Sequence, residues 1–173
     1  MPTIFTHPAV PLAIGLGLGS GVISRRLLLA GVAASVIPDL DVLAFSFGVP
    51  YTSTFGHRGL SHSISFALLL ALLGLLAHRA LHARRLSAFV FVWVAAVSHG
   101  VLDSFTNGGR GIAFLWPWSD ERFFAPVRMI EVSPIGADFF SARGITVLAS
   151  EFAWVWLPCA AAGIGLAIWR RYR

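Results

Sequence analysis

Residues 84–104 read RRLSAFVFVWVAAVSHGVLDS: two arginines, a long apolar run, then His99 and Asp103 near its far end. The run carries no charge from Leu86 to Ser98, as a helix crossing a bilayer with roughly 20 apolar residues requires. A spacing of four puts His99 and Asp103 on one helix face, one turn apart, where a helix can chelate a metal. His99 lies 14 residues beyond Arg85, so both groups sit deep in the span. Ionisable groups at such depth are costly and mark function by default.

Working outward, five hydrophobic segments are predicted, at residues 8–23, 27–47, 63–82, 86–105 and 147–169. The chain is 57% hydrophobic and 12% charged, with a mean hydropathy of +0.77. Soluble domains carry about 25% charged residues, so the fold class is an all-α, polytopic membrane bundle of four to five transmembrane segments. It forms one domain over residues 1–173, with a long outer loop at 106–146. The first segment is short and glycine-rich (Gly15, Gly17, Gly19, Gly21), compatible with a tilted span, a re-entrant segment or a closely packed helix. Pro38 interrupts the second, because it removes a helix hydrogen bond. The last is closed by Arg170, Arg171 and Arg173. The first ten residues lack a basic stretch and carry Pro2 and Pro8, so no cleavable signal is expected.

All 13 basic residues are arginine. Arg25 and Arg26 separate segments one and two, Arg79, Arg84 and Arg85 separate three and four, and Arg170, Arg171 and Arg173 follow five. The positive-inside rule places these at the cytoplasmic face. Every acidic residue (Asp39, Asp41, Asp103, Asp120, Glu121, Glu131, Asp138, Glu151) then falls in the outer half or the outer loops. The expected protein has a cytoplasmic C-terminus and a site facing the periplasm. Topology accounts for the net charge of +5, so no nucleic-acid partner is expected. Cys159, alone in an apolar run, supplies neither disulfide nor thiolate site.

The same topology sets the depth of other polar residues. Asp39 stands 13 residues beyond Arg26, about 20 Å along a helix rising 1.5 Å per residue. His7 begins segment one at the outer face, and His57 and His62 sit where segment three leaves it. His7, Asp39, Asp41, His57, His62, His99 and Asp103 are therefore expected at one outer-leaflet level as the metal set. Asp39 and Asp41 are the candidate catalytic pair; with irregular backbone after Pro38, one binds metal while the other orients a ligand or water. Ser61 or Ser63 is the expected cap of segment three. His78 and His82 lie among the cytoplasmic arginines and are assigned to the interface.

Histidines and aspartates without thiolates suit Zn²⁺, with Mn²⁺ the alternative, as one or two ions. Arg58, Arg110, Arg122 and Arg128 are outer-side groups able to hold phosphate. Trp116 and Trp118, with Phe123 and Phe124, suit a headgroup-level lid or substrate entrance. Arg58, Arg110, Arg122 and Trp116 form the expected substrate-binding set. The partners expected are the bilayer and an amphiphilic or phosphate-containing substrate. A zinc intramembrane protease is excluded by the absence of His-Glu-x-x-His. A metal-independent lipid phosphatase is excluded because Val92 and Trp93 stand where it needs Ser-Arg.

Thr6-His7-Pro8, Pro38-Asp39-Leu40-Asp41, His57-Arg58-Gly59-Leu60-Ser61-His62-Ser63, Ser98-His99-x3-Asp103 and Leu115-Trp116-Pro117 together resemble the YdjM-like family. That family is described as LexA-binding, bacterial inner-membrane, metal-dependent hydrolases. Its motif order is similar to that of zinc-dependent phospholipase C and the related single-strand nucleases, all-helical enzymes with three zinc ions. The resemblance implies that His7, Asp39 or Asp41, His57 or His62, His99 and Asp103 match the first half of their ligand set. Those enzymes add a later His-x3-Glu; here Val147 stands four residues before Glu151, which implies fewer metals. The LexA-binding description implies a regulatory partner, for which the sequence shows no surface. The competing class is a non-catalytic metal-binding membrane protein: a sensor, docking protein or metal carrier.

Overall fold

The computed structural model describes residues 1–134 and 136–173. Helices α1 (Ala9–Leu18), α2 (Arg25–Ala34), α3 (Ile64–Leu76), α4 (Arg85–Ser104), α5 (Ala142–Glu151) and α6 (Leu157–Arg171) build the molecule. Among the described residues there is no strand, only isolated bridges pairing Thr106 with Ile130 and Ile112 with Phe123. The all-helical class therefore holds. Three helical stretches are long and apolar enough to cross a membrane: Arg25–Phe47, Arg85–Ser104 and Ala142–Arg171. Ala9–Leu18 and Ile64–Leu76 are apolar but shorter.

Local chemistry sets the ends of these helices. The Ser24 hydroxyl accepts from the Leu27 amide at 3.1 Å and starts α2, while Ser63, not Ser61, caps α3 through the Phe66 amide at 3.0 Å. Pro38 ends α2 as expected, but the chain does not go irregular. It tightens into a 3-10 helix over Ile37–Phe47, stopped by Gly48 in the left-handed region. Helix α5 starts at Ala142, so the loop expected to run to residue 146 closes earlier. A single π turn, Phe152–Trp156, joins α5 to α6.

Close packing explains the glycines of segment one. A β-carbon on Gly17 would meet Leu166 and the Gly163 carbonyl, so α1 lies directly on α6. Thr6 near the start of α1 bonds Trp156, and Gly19 at its end meets Arg170, so the two helices run parallel. On the other side Gly31 lets the Phe91 ring of α4 reach α2, and Gly74 of α3 faces Val92. The apolar core, with Leu27, Ala34, Ala67, Phe91, Val92 and Ala95, fills the space between α2, α3 and α4. Outward leucines, isoleucines and valines such as Leu16, Leu73, Val90 and Ile164 remain exposed, as lipid contact demands. The polar residues collect at the far end of this core from the arginines.

Candidate metal centre

The end of α2 prepares the first ligand. With Pro38 in place, the Asp39 amide bonds back to Val36, three residues away, and leaves the Ser35 carbonyl outside the helical ladder. The His99 Nδ1 of α4 lies 2.8 Å from that carbonyl. Donation there turns Nε2, with its lone pair, toward the interior, the usual way an outer partner fixes a ligating imidazole.

Around this nitrogen the other groups converge. His62 Nε2 lies 2.9 Å from His99 Nε2. One Asp39 oxygen stands 3.4 Å from His99 Nε2 and 3.8 Å from His62 Nε2, and the other 3.4 Å from His7 Nε2. Asp103 contributes oxygens 3.4 Å from His62 Nε2 and 3.8 Å from His7 Nε2. The His7 ring stacks on His99 at 3.7 Å. Asp39, His62, His99 and Asp103 form one buried group able to share an ion, and His7 borders it.

Two tests favour a metal here. Tetrahedral zinc with bonds of 2.0–2.1 Å separates its ligands by about 3.3 Å, and the separations among Asp39, His62 and His99 and from His62 to Asp103, 2.9–3.8 Å, bracket that value. Further, both Asp39 oxygens, both Asp103 oxygens and both His7 nitrogens are buried without a hydrogen-bond partner. Buried polar groups are normally satisfied; the Arg58 guanidinium, 3.1 Å away, answers one Asp103 oxygen, but leaving the Asp39 oxygens and the His7 nitrogens unpaired costs several kcal/mol unless a further cation answers them. The donor set fits zinc.

Asp41 stands one layer behind. It accepts from His57 at 2.6 Å and from the Arg58 amide at 3.2 Å, and lies 3.2 Å from His62 Nδ1. Its place is that of an orienting carboxylate for His62. Asp41, His57 and His62 also form a second group with metal-ligand spacing, so the geometry accommodates one ion or two sharing His62.

The expected substrate-binding residues separate. Arg58 turns inward at φ 65°, fully buried, 3.1 Å from an Asp103 oxygen and bonded to Thr106 and Gly108 at 2.9 Å each. It balances the aspartates and does not face outward. Arg122 donates to the carbonyls of His57, Tyr51 and Ser53, and with Trp116 it lines a cavity of about 330 Å³. Arg110 is exposed, and Arg128 lies over the Phe124 ring.

Glu151 has a role that sequence reasoning missed. Fully buried, it accepts from the hydroxyls of Thr3 and Thr6 at 2.6 Å each, and from the Thr3 amide. Trp156 Nε1 donates to the same Thr6 hydroxyl at 3.1 Å. This network ties the residues leading into His7 to the last helix. The signal was a carboxylate inside an apolar run with two threonines just upstream of His7.

The YdjM inner membrane protein family matches residues 1–173. This chain belongs to that family. It is 49% identical over 173 residues to the inner membrane protein YbcI of Escherichia coli (strain K12), covering 99% of each chain. No solved structure matches it. As a YdjM-family member it is an inner membrane protein, with a buried histidine–aspartate group able to hold a metal ion.

Proposed function

We propose that this YdjM-family protein is a membrane-bound, metal-dependent hydrolase of phosphate esters or phospholipid-like substrates, with its site toward the periplasm and its C-terminus cytoplasmic. The observation that carries the reading is the buried convergence of Asp39, His62, His99 and Asp103, with neither Asp39 oxygen hydrogen-bonded. Zn²⁺ fits that donor set, Mn²⁺ being second. A bound divalent ion would supply Lewis-acid polarisation of a phosphoryl oxygen and water of lowered pKa.

The chain's own groups divide the remaining work. His99 is aimed by the Ser35 carbonyl and His62 by Asp41. Asp39, with both oxygens unpartnered, is placed to take a proton from an attacking water. Arg58 offsets the charge of Asp103. A cavity of about 250 Å³ reaches Asp39 between Ile4, Phe5, Val42 and Phe139, an apolar approach suited to an amphiphile. The arginine end opposite the site supports the orientation.

One observation favours the second reading, a non-catalytic sensor, docking protein or metal carrier. Asp39, His62, His99 and Asp103 are all at most 4% exposed, whereas catalytic zinc keeps an open position. The deciding experiment measures metal content and phosphodiester or phospholipid hydrolysis for wild type, His99→Ala and Asp103→Ala. The expected result is stoichiometric metal and hydrolysis, both lost in the variants. Stoichiometric metal without hydrolysis, with the cellular role surviving in His99→Ala, overturns the enzyme. Unchanged metal in Asp103→Ala overturns the site.

A further inference from the structure

At the end of the bundle opposite the metal centre, the turn between α1 and α2 and the turn between α3 and α4 enclose a cleft of about 650 Å³. His78, Arg79, His82, Arg84 and Ser87 line it, facing Gly21 and Val22. The two turns are tied together: the Ser24 hydroxyl donates to the Leu81 carbonyl, and Arg26 donates to the Ala80 carbonyl at 3.1 Å. His78 is committed, its Nδ1 3.1 Å from the Ala83 carbonyl and its Nε2 accepting from Arg85 at 3.3 Å. The side chains of Arg79, His82 and Arg84, by contrast, make no hydrogen bond or ion pair among the described residues. The cleft contains no acidic residue.

We propose that this cleft binds a phosphate oxyanion, supplied by the headgroup of an anionic lipid in the adjoining leaflet. Two uncommitted guanidinium groups, a hydroxyl at Ser87 and an imidazole line one concavity, and phosphate is the anion that guanidinium groups grip with paired bonds. The first turn of α4 adds to this, because Arg84 at its N-cap supplies no side-chain cap and leaves amide donors open at that end.

A neighbouring cavity argues for the lipid over a free anion. It measures about 380 Å³, shares His78 and Arg79 with the cleft, and is walled by Leu75, Leu76 and Arg85. Leu76 and Leu86 beside it are 75% and 71% exposed. A polar cleft opening across Arg79 onto exposed leucines matches a headgroup with its acyl chains, and basic pockets between membrane helices bind anionic headgroups. The inference stands apart from the hydrolase reading, since none of its residues touches the metal centre.

The test compares the full-length protein in nanodiscs of phosphatidylcholine with nanodiscs that also contain phosphatidylglycerol, following bound lipid by native mass spectrometry and stability by thermal unfolding. Inorganic phosphate is titrated in parallel. The variants are Arg79→Gln/Arg84→Gln and the charge-matched control Arg171→Gln/Arg173→Gln. The expected result is retained phosphatidylglycerol and lipid-dependent stabilisation in wild type and control. Affinity should fall about fivefold for each cleft arginine removed. Equal losses in both double variants would reduce the cleft to general surface charge and overturn the proposal, as would no loss in the cleft variant. Protection by inorganic phosphate alone, abolished in the cleft variant, would keep the phosphate site but overturn its lipid source.

Discussion

Replacing Asp41 with asparagine separates an orienting carboxylate from a ligating one. The side chain is 8% exposed, 2.6 Å from His57 Nδ1 through one oxygen and 3.2 Å from His62 Nδ1 through the other. Asparagine keeps the shape and removes the charge that favours a His62 Nδ1–H and leaves Nε2 to face Asp39, His99 and Asp103. Loss of such an outer partner weakens metal binding about 10- to 100-fold, or roughly 1.4 to 2.7 kcal/mol. The assay is Zn²⁺ competition against a fluorescent chelator, with metal per chain measured by elemental analysis. The expected variant binds more weakly at unchanged stoichiometry, whereas Asp39→Ala loses the ion. Wild-type affinity in Asp41→Asn would refute the orienting role. A loss of one ion from two per chain would make Asp41 a direct ligand.

Other perturbations probe the frame around the site. Glu151→Gln keeps the volume but turns one acceptor oxygen into an NH₂ group facing the Thr3 and Thr6 donors, and should lower stability by about 2 kcal/mol; an unchanged melting temperature would refute the tether. Gly31→Ala drives a methyl group into the buried Phe91 ring. The overpacking cost of about 1–3 kcal/mol exceeds the helix-propensity gain of up to about 1 kcal/mol, so net destabilisation is expected in thermal unfolding. At the outer surface, hydrogen bonds from Asn107 and Arg143 hold the Glu131 carboxyl below its ordinary value of 4.5. A depressed carboxylate contributes above its unfolded pKa and loses that contribution as pH falls through its folded one. The protection of the amides at residues 131–133, measured against their intrinsic exchange rates, should therefore fall only below about pH 4.5, and the same acid response in Glu131→Gln would discount this tie.

Much of this architecture can be read from counting. Arg26 to Asp39 and Arg85 to His99 are nearly equal intervals, and helices of equal rise bring both residues to one level. The four-residue spacing of His99 and Asp103 works for the same reason. Pro38 marks the break, but its consequence was not legible: a 3-10 helix frees the Ser35 carbonyl for His99, a long-range contact with no local signal. Arg58 carries a motif position that reads as substrate-facing, yet its left-handed backbone turns it into the core beside Asp103. Glu151 was visible as an odd carboxylate, while its partners lie 145 and 148 residues away. What sequence conveys is periodic and local. Inward turns and distant tethers depend on which elements meet.

The π turn at Phe152–Trp156 also acts as a phase adjuster. Glu151 grips the segment before α1, and Gly163, 12 residues later, receives α1 itself. In an unbroken α-helix of 3.6 residues per turn, 12 residues rotate about 120° past a whole number of turns. The two contacts would then point to different sides. Absorbing one extra residue in the wider turn reduces the offset to about 20°, and both face the same partner. The π turn thus takes up a single extra residue without moving the His7 tether relative to the α1–α6 seam: deleting one residue within 152–156 would close the turn into regular α-helix and keep the two contacts in step, whereas inserting one would swing them about 100° apart.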